Sequence, residues 1–129
     1  MIEAIRGVIA DDARITYALR FGSAARHTSH AHGDVDVALG TVGDKLDPFA
    51  IGEFISRLES AARRLVHLVL LDEAPPGLAY RIFREGKPLL IRDRAAFNER
   101  LARAILEYLD FKPVEGLFTR GVLRARHGR

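Results

Sequence analysis

The segment "DVDVALG", residues 34–40, constrains the fold more than any other part of this chain. It alternates, so as a strand it puts Asp34, Asp36 and Ala38 on one face and Val35, Val37 and Leu39 on the other. Asp36 thus stands inside an apolar run, where an unpaired carboxylate is costly unless a cation or hydrogen bonds satisfy it. Just upstream, "ITYALRF" (15–21) is rich in β-branched and aromatic residues and ends at Gly22-Ser23. It reads as a strand adjacent to the first, since only a short loop intervenes.

The rest of the chain extends this pattern. Residues 2–12 carry apolar side chains at helical spacing. Asp47-Pro48 starts a helix running to about residue 64, with Asp as N-cap and Pro at the first helical position. "LVHLVLL" (65–71) reads as a strand buried on both faces, "LAYRIFREG" (78–86) as a short helix, and "KPLLIRD" (87–93) as an edge strand, because Pro88 lacks a ladder donor. "RAAFNERLARAILEYLD" (94–110) is a helix, and the following tail breaks at Pro113, Gly116 and Gly121. The order predicts an α/β or α+β domain: a small mixed sheet with helices on one side.

Composition narrows the function classes. The 129 residues suffice for one domain with a real core. The absence of cysteine removes disulfides and thiolate metal sites, and the cytoplasm is the simplest compartment. No segment reaches the length of a membrane span. The net charge of +3 is uneven: residues 1–117 carry 16 basic and 17 acidic side chains, while 118–129 carry four arginines and no acid. A near-neutral body argues against direct nucleic-acid binding through a broad basic face.

The chemistry concentrates between Gly22 and Asp36. Two strand residues two apart project roughly 6.5–7 Å apart on one face. Carboxylates so placed can hold Mg²⁺, which completes its shell with water and substrate phosphates. Gly22-Ser23, followed by a helix start, can grip a triphosphate through free N–H groups and the Ser hydroxyl, and Arg26 can add a charge. The histidines at 27, 30 and 32 raise a competing reading, in which His30-x-His32 with Asp34 or Asp36 binds zinc. That loop is loosely positioned and has no cysteine, so the histidines read better as spacer.

Gly22, Ser23, Asp34 and Asp36 fit the signature Gly-Ser, ten residues, Asp-x-Asp, with Gly-Ser-x-Ala-Arg completed by Arg26. In this, and in "LVHLVLLDEAPPGLAYRIFREGKPLLIRD", the chain resembles the minimal nucleotidyltransferases of the DNA polymerase β superfamily, nearest to MntA-type antitoxins paired with HEPN-domain ribonuclease toxins. The resemblance covers roughly residues 5–110. It implies an antitoxin that transfers AMP from ATP to a toxin tyrosine, with Gly22 and Ser23 on the triphosphate and Asp34 and Asp36 on Mg²⁺. It also implies a hetero-oligomer with the HEPN-domain toxin.

The chain departs from the pattern at His67, where such proteins carry a third carboxylate that helps activate the attacking hydroxyl. Asp72 falls beyond the strand and substitutes poorly. His67 could act as the base or a weaker ligand, leave transfer impaired, or be an ordinary core residue. Three functions therefore stand at this point: an adenylyltransferase antitoxin, an antitoxin acting by binding alone, and a small-molecule nucleotidyltransferase. The last usually needs a further substrate domain, for which this chain leaves no room. The expected division is a nucleotidyltransferase domain over 1–110 and a basic, apolar tail over 111–129 that docks the partner.

Overall fold

The computed structural model describes residues 1–22, 33–43 and 46–119, with side chains through residue 110. The elements run α1 (Ile2–Ala10), β1 (Ile15–Phe21), β2 (Val35–Thr41), α2 (Pro48–Ala62), β3 (Val66–Leu70), a 3₁₀ turn (Leu71–Glu73), α3 (Pro76–Glu85), β4 (Lys87–Ile91) and α4 (Arg94–Thr119). The strands form one sheet in the order β3-β2-β1-β4. β1 pairs antiparallel with β2 and with β4, while β2 and β3 run parallel. The mixed sheet and the adjacency of β1 and β2 match the sequence reading.

Local chemistry sets several boundaries. The Asp47 carboxylate accepts the Ala50 N–H at 2.7 Å, and Pro48 opens α2 as expected. α2 ends where Arg63 turns left-handed (φ 59°) and its N–H closes on the Glu59 carbonyl. The chain then enters β3, where the Glu59 carboxylate accepts the Val66 N–H at 2.9 Å. One helix thus ends, and anchors the strand that carries His67.

Helices cover both faces of the sheet, not one. On one face, Ile5 and Ile9 of α1 and Phe54, Leu58 and Ala62 of α2 pack on Ala18, Val35, Val37 and Leu39. On the other, Ala79 and Ile82 of α3 and Phe97 and Ala104 of α4 pack on Tyr17, Leu19 and Ala38. The physical reason lies in the strands. Both faces of β1 and β2 are apolar along most of their length, so each needs its own cover.

Two further expectations are corrected. β3 is an edge strand rather than one buried on both faces, and the His67 side chain is 63% exposed. Apolar runs look alike at the centre and at a helix-covered edge: Val66, Leu68 and Leu70 join the α1/α2 core, while Val69 and Leu71 join the other. The edge position predicted for β4 holds. The second correction concerns α4, which continues through Pro113 and Gly116 to Thr119. A proline and a glycine are penalties in a helix rather than absolute stops. Gly121 lies outside the described residues. Among the described residues, no helix is long and apolar enough to cross a membrane.

Candidate active site

The C-terminal end of β1 and the N-terminal ends of β2 and β3 meet at one end of the sheet. Phe21, the last residue of β1, is the register partner of Asp36, and Asp36 is in turn the partner of His67. Asp36 and Ala38 share the face that α3 and α4 cover farther along, and Val35 and Val37 bury on the opposite face. The carboxylates therefore sit where the helical cover ends: the Asp34 side chain is 41% exposed and that of Asp36 24%. This is the alternation read from the sequence.

Gly22 adopts a φ of +76°. It lies so close to Asp36 that a Cβ built on it would fall 2.2 Å from Asp36 Oδ2. Gly22, just past β1, thus leaves a recess that the Asp36 carboxylate occupies.

His67 faces both acids. Its Nδ1 lies 3.2 Å from Asp36 Oδ1 and its Nε2 3.3 Å from Asp34 Oδ2. Ionised carboxylates only accept hydrogen bonds, and a neutral imidazole donates from one nitrogen. The Asp36 contact has hydrogen-bond geometry, the Asp34 contact is a close approach only, and the ring is 63% exposed. His67 is therefore no satisfied core histidine; it stands at the position the sequence reading gave to the missing third carboxylate.

The pair suits Mg²⁺ by donor chemistry. It offers oxygen ligands from two carboxylates on one face, both partly exposed. Among the described residues, no group of three or more His, Asp or Glu side chains is arranged to hold a metal ion. His67 directs its nitrogens at the acids rather than at a shared centre, so a cation placed here would draw on the two aspartates.

Gly22, Asp34, Asp36 and His67 are thus brought together. Ser23 and Arg26, expected on the triphosphate, and His27, His30 and His32, weighed for zinc, lie outside the described residues. Asp72 is absent from the cluster: it lies past β3, where Arg103 Nη2 holds it at 3.2 Å.

Arg100 escaped the sequence reading. It is 4% exposed, and its Nε and Nη2 donate to the Leu71 carbonyl at 3.2 and 2.8 Å, tying α4 to the end of β3. Its place between Phe97 and Ala104 on the apolar side of α4 was the available signal. A polar cavity of about 230 Å³ lies beside it, lined by Thr16, Tyr17, Thr41, Asp72 and Arg103 among others. Burial, reinforced by the Asp72 charge, pushes the Tyr17 phenol up to about 12.

The sequence profile of the Polymerase beta, Nucleotidyltransferase family matches residues 3–95. No curated protein matches the chain significantly. Solved structures match nearly end to end. A chain of a toxin–antitoxin crystallised with AMP-PNP aligns at TM-score 0.81 and 24% identity, over 95% of this chain and 98% of that one. A chain of the MntA–HepT toxin–antitoxin aligns at 0.74 and 22%, over 95% and 96%. A chain of the tri-AMPylated HEPN toxin in complex with MNT antitoxin, from Shewanella oneidensis, aligns at 0.74 and 22%, over 95% and 99%. At such identities the likeness establishes the fold. The profile match spans most of the chain and includes the strand ends where Gly22, Asp34, Asp36 and His67 meet, and on that ground this chain belongs to the polymerase β nucleotidyltransferase family.

Proposed function

We propose that this chain is the antitoxin of a toxin–antitoxin pair, and that it transfers AMP from ATP to a tyrosine of a HEPN-domain ribonuclease. The observation that carries this reading is the paired, partly exposed carboxylates of Asp34 and Asp36 at the open end of the sheet. The fold neighbours support it: one was crystallised with AMP-PNP, and another contains an AMPylated HEPN toxin.

Asp34 and Asp36 would hold Mg²⁺, which when bound neutralises phosphate charge and favours the ionised form of an attacking hydroxyl. Gly22 and Ser23, with Arg26, would orient the triphosphate. In the transfer, the tyrosine oxygen bonds to the α-phosphorus, the bond from that phosphorus to the bridging oxygen breaks, and pyrophosphate leaves. The phenolic proton goes to His67 when its ring is neutral and the unprotonated nitrogen is turned away from the aspartates. At 63% exposure on an edge strand, His67 can be reached by a side chain of a large partner. The partner-docking role expected of residues 111–129 is supported by α4, where Leu106 and Leu109 are 63% and 55% exposed just before that segment.

A specific observation favours a second reading, inhibition by binding alone. His67 engages both carboxylates, which competes with a cation for the same oxygens. One experiment separates the two. The protein is mixed with ATP, Mg²⁺ and the HEPN-domain protein encoded beside it, and the intact mass of that partner is measured. An AMP adduct that disappears with Asp36→Ala supports transfer. A stable, inhibitory complex without any adduct refutes it in favour of binding alone.

A further inference from the structure

We infer that Gly22 is a positioning residue for the Asp36 carboxylate, beyond any part its turn plays in holding phosphate. The inference rests on the reading of Asp34 and Asp36 as the cation-holding pair. A Cβ at residue 22 would lie 2.2 Å from Asp36 Oδ2 and 3.2 Å from Cγ, but 3.6 Å from Asp36 Cβ. The first distance is impossible and the second tight, while the third is ordinary van der Waals contact. The conflict is therefore with the carboxylate alone.

The backbone offers no easy relief. Asp36 lies in β2, paired to Phe21 of β1 on one side and to His67 of β3 on the other. A shift of β2 would break two ladders and drag Val35 and Val37, both buried, out of register with the core. The side chain would yield instead, swinging its carboxylate away from the recess and from Asp34. Glycine at 22 thus serves twice, once in the φ of +76° and once in leaving the space that the Asp36 carboxylate occupies. The two roles are separable, because only the second depends on Asp36.

A double-mutant cycle performs the separation. Gly22→Ala is made in the native chain and in the Asp36→Ala background, and denaturation midpoints are compared in metal-free buffer. The expected result is a larger fall in the native chain than in the Asp36→Ala background, where the clashing atoms are gone and only the φ penalty remains. Equal losses in both backgrounds, including failure of both to fold, overturn the inference.

The same proteins are then titrated with Mn²⁺ by electron paramagnetic resonance. Gly22→Ala should weaken Mn²⁺ binding by tenfold or more in the absence of nucleotide. Unchanged Mn²⁺ affinity overturns the inference. A native chain that binds no Mn²⁺ at all overturns the cation-holding reading instead, and the stability cycle still decides whether Gly22 seats Asp36.

Discussion

Replacing His67 by Asp tests the electrostatics of the candidate site without touching either aspartate. His67 is the parallel-register partner of Asp36 and reaches both acids, so His67→Asp builds a third carboxylate on the same face. Adjacent strands lie about 4.8 Å apart, which places the new charge roughly 5–6 Å from its register partner Asp36 and farther from Asp34, two residues along the strand. The side chains at the three positions are 63%, 41% and 24% exposed, so water screens them strongly. At the water-like end of the dielectric range each like-charge pair costs about 1 kcal/mol or less. Loss of the imidazole contacts adds little at this exposure. The variant should therefore be about 1–2 kcal/mol less stable without metal, a fall in Tm of roughly 3–8 °C for a domain of this size. A divalent cation should more than restore it, since a ligand at a hundredfold excess over its Kd adds about 2.7 kcal/mol. Thermal melts with and without Mg²⁺ at fixed ionic strength measure both effects, and AMP transfer to the partner is assayed alongside. Higher transfer means that His67 stood in the way of a complete acidic cluster; abolished transfer means that the imidazole is the working base. The reasoning fails if His67→Asp melts like the native chain without metal, or gains no more from Mg²⁺ than the native chain does.

Two further predictions concern the frame around the site. The Arg14 guanidinium holds the Asp12 carboxyl below the usual range through contacts of 2.7 and 2.9 Å, with the Arg14 N–H adding a third at 3.0 Å. This stabilisation is complete above the unfolded carboxyl pKa of about 3.9 and is lost as pH falls through the lower folded value, so Asp12→Asn should cost about 1–2 kcal/mol at neutral pH and progressively less below pH 4, read from urea midpoints. Tyr17, 3% exposed, keeps its proton to about pH 12 in the fold, whereas the unfolded phenol releases it near ~10. Stability should fall by up to about 2–3 kcal/mol as pH rises through that window, and Tyr17→Phe should flatten the decline; an unaltered slope would show that Tyr17 is not its source.

The parts of this fold that could be read from sequence are those with a local cause. The period of two in residues 34–40 gave the faces of β2, and Asp47-Pro48 gave the start of α2, because each signal is complete within a few residues. Which strand lies at an edge is not local. Nothing within Val66–Leu70 records that β2 flanks only one side of it. Likewise, the second helical layer is decided by what both faces of β1 leave uncovered, not by any helix alone. Arg100 was passed over because a charged residue in a helix is ordinarily solvated, and its burial is explained by partners from outside its own turn, the Leu71 carbonyl and the Asp72 carboxylate, together with Glu107.

The site divides along the same line. Asp34 and Asp36 are two residues apart, and a strand pattern suffices to pair them. His67 lies 31 residues from Asp36 and enters the cluster only because β2 and β3 run parallel with those two residues in register. A parallel pair needs a crossover between its strands, and here that crossover is α2, whose Glu59 carboxylate grips the Val66 N–H at the entry to β3. A slip of one residue at that entry would turn His67 away from the acids and present Val66 or Leu68 to them instead. The alignment of His67 with the aspartates is therefore a property of the α2–β3 junction. Substitutions at Glu59, outside the site, should disturb the His67 contacts before they disturb the Asp34–Asp36 pair itself.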